Sequence, residues 1–560
     1  MTNYQFTGGT ICAPATIPGT GAISIIRVSG KEALAIADKV IDTKGVPIAE
    51  TEGYRLRYGT VFEADGSVLD NVIVSVFRAP HSYTGENSVE ISCYASRFIV
   101  NKILELLVNA GARIAAPGEF TRRAFVNGKM DLAQAEAVAD VIASQSAASH
   151  RVAMNQLKGG FSSELKVLRE KLLTMTSLLE LELDFSEEDV EFASRKELGQ
   201  LVDDSLTHIR RLTTSFSRGN AIKNGVPVAI VGATNTGKST LLNALLGEER
   251  AIVSDIAGTT RDTIEETLNI DGILFRFIDT AGIRETDETI EKIGIDRTFK
   301  KLGEAAVVLG MTDLSRGEAA VLEDADFILS KVNEMGGVKN VAAENDGSET
   351  GGASLAETGV AHPAETGVAS LAGTDETSLA ETGVASQHGH GAGQERKVVI
   401  LVNKCDVAGD FYRDDDGTGY GSGNDLGENI AEIGGNKNVN HDNNIVSLIE
   451  NKYDNCKVIP ISAKTGKGLS TLTKTLGEIG SEITGSTDET LVTNVRHYEA
   501  LVRAASALER VRAGLHIATL PPDLIAQDLR EALYHLGEIV GEITTDETLG
   551  NIFRNFCIGK

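Results

Sequence analysis

The stretch Gly232-Ala233-Thr234-Asn235-Thr236-Gly237-Lys238-Ser239 constrains this chain more than any other. It matches G-x-x-x-x-G-K-[ST] and lies between an apolar strand, Val228 to Val231, and a helical run, Thr240 to Leu246. That strand–loop–helix context is the one a phosphate-binding loop requires. Its glycines let backbone N–H groups face phosphate oxygens, and the following helix N-terminus adds partial positive charge. Lys238 is expected to reach the β- and γ-phosphates and the Ser239 hydroxyl to bind Mg²⁺, with Asn235, Thr236, Gly237 and Thr240 completing the loop.

Three further elements follow in order. Asp279-Thr280-Ala281-Gly282 closes the strand Leu274 to Ile278 and fits D-x-x-G, 40 residues after Ser239. Asp279 is expected near Mg²⁺ and the Gly282 amide against the γ-phosphate. Asn403-Lys404-Cys405-Asp406 closes the apolar strand Val398 to Val402. A carboxylate at Asp406 can accept from N1–H and the 2-amino group of guanine. Adenine offers neither donor, so such a pocket rejects it by leaving polar groups unpaired. Ser462-Ala463-Lys464, after the strand Val458 to Ile461, supplies the backing loop. The set reads as a GTP site. The position after D-x-x-G, where many small GTPases carry a water-orienting Gln, is Ile283. Another side chain or a supplied cation must therefore assist hydrolysis.

Length and charge set the context. At 560 residues the chain has room for three to four domains. With 53 basic and 80 acidic residues its formal net charge is −27, which excludes a globally basic wrapper of nucleic acid. The five cysteines form no C-x-x-C pair, arguing against a zinc ribbon or disulfide framework and for a reducing compartment. The first ten residues have no basic or apolar signal region, and no apolar run approaches the roughly 20 residues a bilayer needs. A cytoplasmic protein without a membrane span is expected.

The pattern changes character along the chain. Residues 1–130 read as mixed α/β, with strands at Ala22 to Val28 and Val72 to Phe77 and a helix over 97–109. Residues 131–224 are Ala-rich and then carry a stripe of Leu165, Leu168, Leu172, Leu173, Met175, Leu179 and Leu183, the spacing of a helical core layer. Residues 225–480 alternate strands with helices, as a parallel α/β domain does. Residues 481–560 are helical again, so the α/β domain is expected to be inserted into one helical domain. Two segments look foreign to any core. Residues 336–396 repeat A-E-T-G-V-A from Ala356, Ala364 and Ala380 and contain no aromatic; residues 408–445 are rich in Gly, Asn and Asp. They carry 13 of the 27 net negative charges, so about half the acidity says nothing about the folded part's partners.

Gly258-Thr259-Thr260-Arg261-Asp262, Asp279 to Glu285 (D-T-A-G-I-R-E) and Phe556-Cys557-Ile558-Gly559-Lys560 together resemble the bacterial tRNA-modification GTPase family MnmE, also called TrmE. The resemblance extends through Pro117 to Ala137 and Ser82 to Glu86 and covers the chain except the two inserts. It implies a fold of class α/β plus α: an N-terminal α/β tetrahydrofolate-binding and dimerisation domain, a helical domain, and a P-loop G domain inserted in it. It implies a homodimer working with the flavoprotein MnmG to install an aminomethyl-type group on carbon 5 of the wobble uridine of certain tRNAs. The one-carbon unit would come from a tetrahydrofolate (5,10-methylene or 5-formyl form).

The family also answers the missing Gln. Its G domains pair across the nucleotides, with K⁺ near the place of an arginine finger, where a cation offsets transition-state charge. Ser254, Asp255, Ile256, Ala257, Gly258, Thr259 and Thr260 would then line the nucleotide. Asn235, Ser254, Ile256 and Thr259 would hold K⁺, Thr260 would join Ser239 on Mg²⁺, and Glu291 would position the water. The matching folate positions are Arg27, Glu90, Lys129 and Lys560, and Cys557 could lie at the same site. A pterin edge presents N–H donors that a carboxylate can accept, and basic groups suit a glutamate tail. The competing reading is an RNA- or ribosome-associated assembly GTPase acting as a switch. Its expected basic appendage is not evident in residues 485–560, which mix acids and bases.

Overall fold

The computed structural model describes residues 8–19, 21–184, 195–249, 266–278, 305–334, 396–406, 445–453, 456–485, 489–515, 522–554, 556 and 559. The chain divides into two compact units, one of Met1–Val226, Thr267–Arg276 and Thr473–Lys560, the other of Pro227–Glu266 and Phe277–Leu472.

The first unit opens with β1 (Ile11–Pro14), β2 (Ile23–Ser29), α1 (Ala33–Val40), β3 (Ile41–Asp42), β4 (Arg55–Phe62), β5 (Val68–Phe77), β6 (Ser88–Tyr94), α2 (Arg97–Asn109) and β7 (Arg113–Ile114). The strands form a mixed sheet in the order β3–β4–β5–β6–β2–β1–β7. Alternation decides its two faces. Val72, Val74, Val76, Val89, Ile91, Ile26 and Val28 point to one side and share a core with α1 and α2. The other side is open. Register places Ile73 between Tyr58 and Ser92, and Ile23 beside Tyr94. Leu56, Tyr58, Ile73, Tyr94 and Ile23 are all exposed there.

The helices α3 (Glu119–Val126), α4 (Leu132–Ala143), α5 (Ala147–Leu157), α6 (Gly160–Asp184) and α7 (Arg195–Asn224) follow. Asp131 caps α4 in a reciprocal capping box with Gln134, and Ser146 does the same for α5 with Ser149, satisfying otherwise orphaned N–H groups. Along α7, Leu198, Val202, Leu206, Ile209 and Leu212 recur at three- and four-residue steps. They pack with Leu165, Leu168, Leu172 and Leu179 of α6, and with helices late in the chain described below, in one core. The expected Leu stripe on α6 needs one correction. Leu173 is 56% exposed, because a residue adjacent to Leu172 is turned about 100° around the helix and cannot share its face.

The second unit begins with β8 (Val226–Gly232) and α8 (Lys238–Glu249). The chain continues through β9 (Glu266–Ile270), β10 (Ile273–Ile278), β11 (Val307–Asp313), α9 (Glu318–Glu334), β12 (Lys397–Asn403), α10 (Ile445–Lys452), β13 (Cys456–Pro460) and α11 (Leu469–Thr484), of which Thr267–Arg276 and the residues from Thr473 on belong to the first unit. The sheet order is β13–β12–β11–β8–β10–β9, and β8, β11, β12 and β13 pair in parallel. Every residue of β11 is buried, the mark of a strand covered on both faces. A two-residue turn joins β9 to β10, with positive φ at both Asp271 and Gly272, as a right-twisted hairpin demands.

The first unit is completed by α12 (Val495–Leu515), α13 (Pro522–Val540) and α14 (Asp546–Arg554). Residues of α12 and α13 enter the α6–α7 core. Where α12 meets α4, Glu136 is buried and accepts from Arg496 Nε and Nη2, each at 2.9 Å, and from His497 Nε2 at 2.6 Å. Burial alone would raise the Glu136 carboxyl, but its bonds and charge contacts with His497 and Arg496 bring it from its ordinary 4.5 to about 2. Burial lowers the His497 ring and the Glu136 carboxylate works against that, so the carboxylate is held by His497 and Arg496 together. A depressed carboxyl stabilises above its unfolded value and loses that contribution as pH falls through the folded one. As pH falls from 4.5 to 2 the first unit is therefore expected to lose stability through this group. Urea melts across that window should show the loss, and Glu136→Gln should flatten it.

Candidate functional site

The nucleotide loops are built at the ends of the parallel strands of the second unit. β8 runs into Gly232, and α8 begins at Lys238. Between them Asn235 adopts a left-handed conformation, φ 63°, at an exposed apex. Gly237 has φ 98°, and a Cβ there would sit 2.5 Å from Asn403 Nδ2, so only glycine fits. Thr236 is buried, its hydroxyl donating to Ala233 O at 2.9 Å. The Lys238 ammonium folds over the loop, donating to Gly232 O at 2.9 Å and Ala233 O at 2.7 Å. Burial lowers its pKa, a cost that an anion beside it would offset.

Asn403 joins three of the sequence elements. Its Nδ2 donates to Thr236 O at 2.7 Å, and its Oδ1 accepts from Ala463 N at 3.0 Å. The phosphate loop, N-K-x-D and Ser-Ala-Lys are thereby held in one place by a side chain that is 3% exposed. Cys405 N donates to Ile461 O, and the buried Ser462 accepts from Thr465 N, shaping the loop behind the base position. Asp406 and Lys464 are exposed at its rim, and Ser239 and Thr240 start α8 below the loop. The chemistry of this donor set fits a nucleotide: backbone amides and an ammonium for phosphates, a hydroxyl for Mg²⁺, and an exposed carboxylate for a base edge.

Sequence reading named Lys404 but missed its partner, Asp313. Lys404 has φ 65°, and its ammonium pairs with Asp313 Oδ2 at 2.6 Å. Asp313 ends β11 and also accepts from Ser315 N and Oγ. Burial raises the Asp313 carboxyl, but Lys404 and Ser315 together hold it below its ordinary value. An acid closing a strand is too common a surface feature to have been singled out.

The folate positions lie in the first unit. Arg27 Nε and Nη2 donate to Glu90 Oε1 at 3.0 and 2.8 Å, on the open face of the sheet. The guanidinium stacks 5.0 Å from the Tyr83 ring centroid and 5.7 Å from that of Phe120, and its Nη1 donates to Gly559 O at 3.4 Å. The C-terminal residues thus reach this pair. Lys129 is exposed and donates to Pro80 O at 3.1 Å. A carboxylate paired with a cation that lies against two aromatic rings fits a flat heterocycle with N–H donors.

Beneath lies a buried ionic network. Arg123 donates to both oxygens of Glu86, to Glu119 Oε1 at 3.1 Å and to Gly9 O at 2.7 Å. Glu119 also pairs with Arg113, and Ser29 Oγ donates to Glu86 at 2.9 Å. Burial raises the Glu119 carboxyl, but Arg113, the Ala116 N–H and Arg123 outweigh it and hold the group low. The family motifs around Ser82–Glu86 and Pro117–Phe125 meet here.

Ser254 to Thr260, Asp279 to Gly282, Glu291, Cys557 and Lys560 lie outside the described residues. β10 ends at Ile278, directly before Asp279. Among the described residues the thiols of Cys12, Cys93, Cys405 and Cys456 are pushed up to about 11, chiefly by burial, so none is an activated nucleophile. Among the described residues no cluster of His, Cys, Asp and Glu could hold a metal, and no helix is long and apolar enough to cross a membrane.

Two family models match this chain: the GTP-binding protein TrmE N-terminus over residues 10–129 and the MnmE helical domain over residues 132–557. The tRNA modification GTPase MnmE of Parabacteroides distasonis is 44% identical over 554 residues, 98% of this chain and 100% of that protein. That of Porphyromonas gingivalis is 42% identical over 562 residues, 100% of this chain and 99% of that protein. Likeness to solved structures is weaker. A GTP-binding protein from Sulfolobus solfataricus in complex with GDP aligns at a TM-score of 0.25 and 14% identity, over 56% of this chain and 67% of that one.

Proposed function

The chain belongs to the MnmE family of tRNA modification GTPases, and from that membership we propose that it hydrolyses GTP to drive modification of tRNA at carbon 5 of the wobble uridine. The observation that carries the GTPase part is Asn403, which ties the phosphate loop to the guanine-reading loop. In this reading Lys238 neutralises β- and γ-phosphate oxygens, Ser239 and Thr260 hold Mg²⁺, and Asp406 reads guanine with Lys404 braced by Asp313. Asn235, with Ser254, Ile256 and Thr259, would hold K⁺, which supplies positive charge at the transferring phosphoryl group, and Glu291 would orient the attacking water. The left-handed, exposed Asn235 supports that reading, since its side chain is free of the strand–helix core.

Arg27 and Glu90, with Lys129 and Lys560, would bind a tetrahydrofolate carrying the one-carbon unit, and Cys557 would lie beside it. The contact of Arg27 with Gly559 supports this grouping. The partner would be the flavoprotein MnmG. The exposed apolar sheet face of Leu56, Tyr58, Ile73 and Tyr94 supports a homodimer. The helical family match begins before the phosphate loop and ends after it, which supports a G domain inserted into the helical domain. The cytoplasm is the compartment where such a tRNA enzyme would act.

The cation assignment has a direct test. At equal ionic strength K⁺ should support GTP hydrolysis more than about tenfold faster than Na⁺, since one preorganised transition-state contact contributes roughly 10²–10³ in rate. Equal rates in the two salts would overturn the K⁺ ligands. Stopped-time phosphate release reads the difference.

A further inference from the structure

We propose that the outward face of α5, together with Asn269 of β9, is a contact for the phosphate backbone of tRNA. The inference rests on the tRNA reading above and concerns a surface that neither the nucleotide nor the folate positions use. An open groove of about 910 Å³ runs along this face, lined by Gln145, His150, Arg151, Asn155, Lys158 and Asn269. The spacing of 150, 151, 155 and 158 places these side chains on one side of α5, while Val152, Ala153 and Gln156 on the other are buried. His150, Arg151 and Lys158 are exposed.

Charge sets this surface apart. The chain carries 80 acids in 560 residues, yet the 23 residues 141–163, between Asp140 and Glu164, contain none. His150, Arg151 and Lys158 therefore stand on a stretch of an acidic protein that has no acid of its own, and basic side chains so placed are what a polyanion needs to approach it. The groove's remaining polar side chains are amides and the hydroxyls of Ser144 and Ser146. Arg, Lys, His, Asn and Gln together are the side chains that contact phosphate and ribose, and an open groove with no Phe, Tyr or Trp in its lining, only Ala147 and Met154 as apolar members, suits a backbone rather than a splayed base.

The platform is rigid. The Ser146–Ser149 capping box fixes the start of α5, Asn269 Nδ2 donates to Gln145 O at 3.0 Å, and Gly272 O accepts from Ala148 N. On the inner side Gln156 Nε2 donates to Leu491 O at 3.0 Å. Cationic side chains held on a fixed frame lose less freedom on binding than the same residues on a loop.

The test uses the full chain and a fluorescein-labelled tRNA transcript, followed by anisotropy from low to high salt. Arg151→Glu with Lys158→Glu should weaken binding at least tenfold and lower the slope of log affinity against log salt by about 2, one per lost phosphate contact. Arg151→Gln with Lys158→Gln should give a smaller loss and the same change in slope. Basal GTP hydrolysis, read in parallel, should stay unchanged in both variants and so certify folding. Unchanged tRNA affinity in the charge-reversed variant would overturn the proposal. So would loss of association with the flavoprotein while tRNA affinity persists, which would assign the face to an acidic protein surface. Failure of the unsubstituted chain to bind tRNA would overturn this inference and the tRNA reading together.

Discussion

Asp406→Asn should convert the protein from a GTP-binding to a xanthosine-triphosphate-binding one. The exposed carboxylate at the rim of the base loop can accept both N1–H and the 2-amino group of guanine. An amide keeps one acceptor and turns the other position into a donor, so a donor then faces the 2-amino group. A polar mismatch of this kind discriminates by about 10⁴-fold where a site is built around the bond, and a loss of at least about 10³-fold in GTP affinity is expected. Xanthine has a carbonyl where guanine has the amine. The substituted amide matches it, and hydrolysis of xanthosine triphosphate should appear. The Asn403 bridge is untouched by the change, so the phosphate loop keeps its form. Isothermal titration with both nucleotides decides the matter. GTP affinity within tenfold of the original would remove Asp406 from the base site.

Arg123→Met should cost the first unit about 3–5 kcal/mol, the range for breaking a buried ion pair from one side. The Arg123 side chain is 2% exposed, and its loss strands Glu86 and partly strands Glu119, with Ser29 left as a neutral partner of Glu86. The gap is electrostatic rather than a matter of volume, because methionine fills a similar space. Combining Arg123→Met with Glu86→Gln should recover part of the loss, as removing both charges removes the uncompensated one. Thermal unfolding followed with GTP hydrolysis separates the effects: the transition of the first unit should fall while nucleotide binding in the second persists. A transition unchanged by Arg123→Met would mean the network does not stabilise the fold.

The fold and the nucleotide site differed in how far they could be read from the chain. Gly232 to Ser239 and Asn403 to Asp406 are local: strand, turn chemistry and helix start all fall within a dozen residues, and the helix over 97–109 is bounded as its periodicity implies. Contacts between distant segments were not legible. Lys404 and Asp313 are separated by 91 residues, and Arg123 and Glu86 by 37. Nothing in local spacing says which charge meets which. The motif around Glu86 and Arg123 was visible as a family signature, but its role as a buried ionic network came only from the packing. Leu173 failed for a related reason, since a run of leucines gives period but not phase. The α5 groove carries no motif at all. Its signal was the missing acids between Asp140 and Glu164, which matters only once those residues share one face.

The central claim is that this GTPase serves tRNA modification at the wobble uridine. Nucleoside mass spectrometry of bulk tRNA, from cells with the protein and cells lacking it, tests that claim most directly. Loss of the carbon-5 aminomethyl-type uridines, restored by the intact chain but not by Asp406→Asn, is the expected result. A nucleoside profile unchanged by removal of the protein would contradict it.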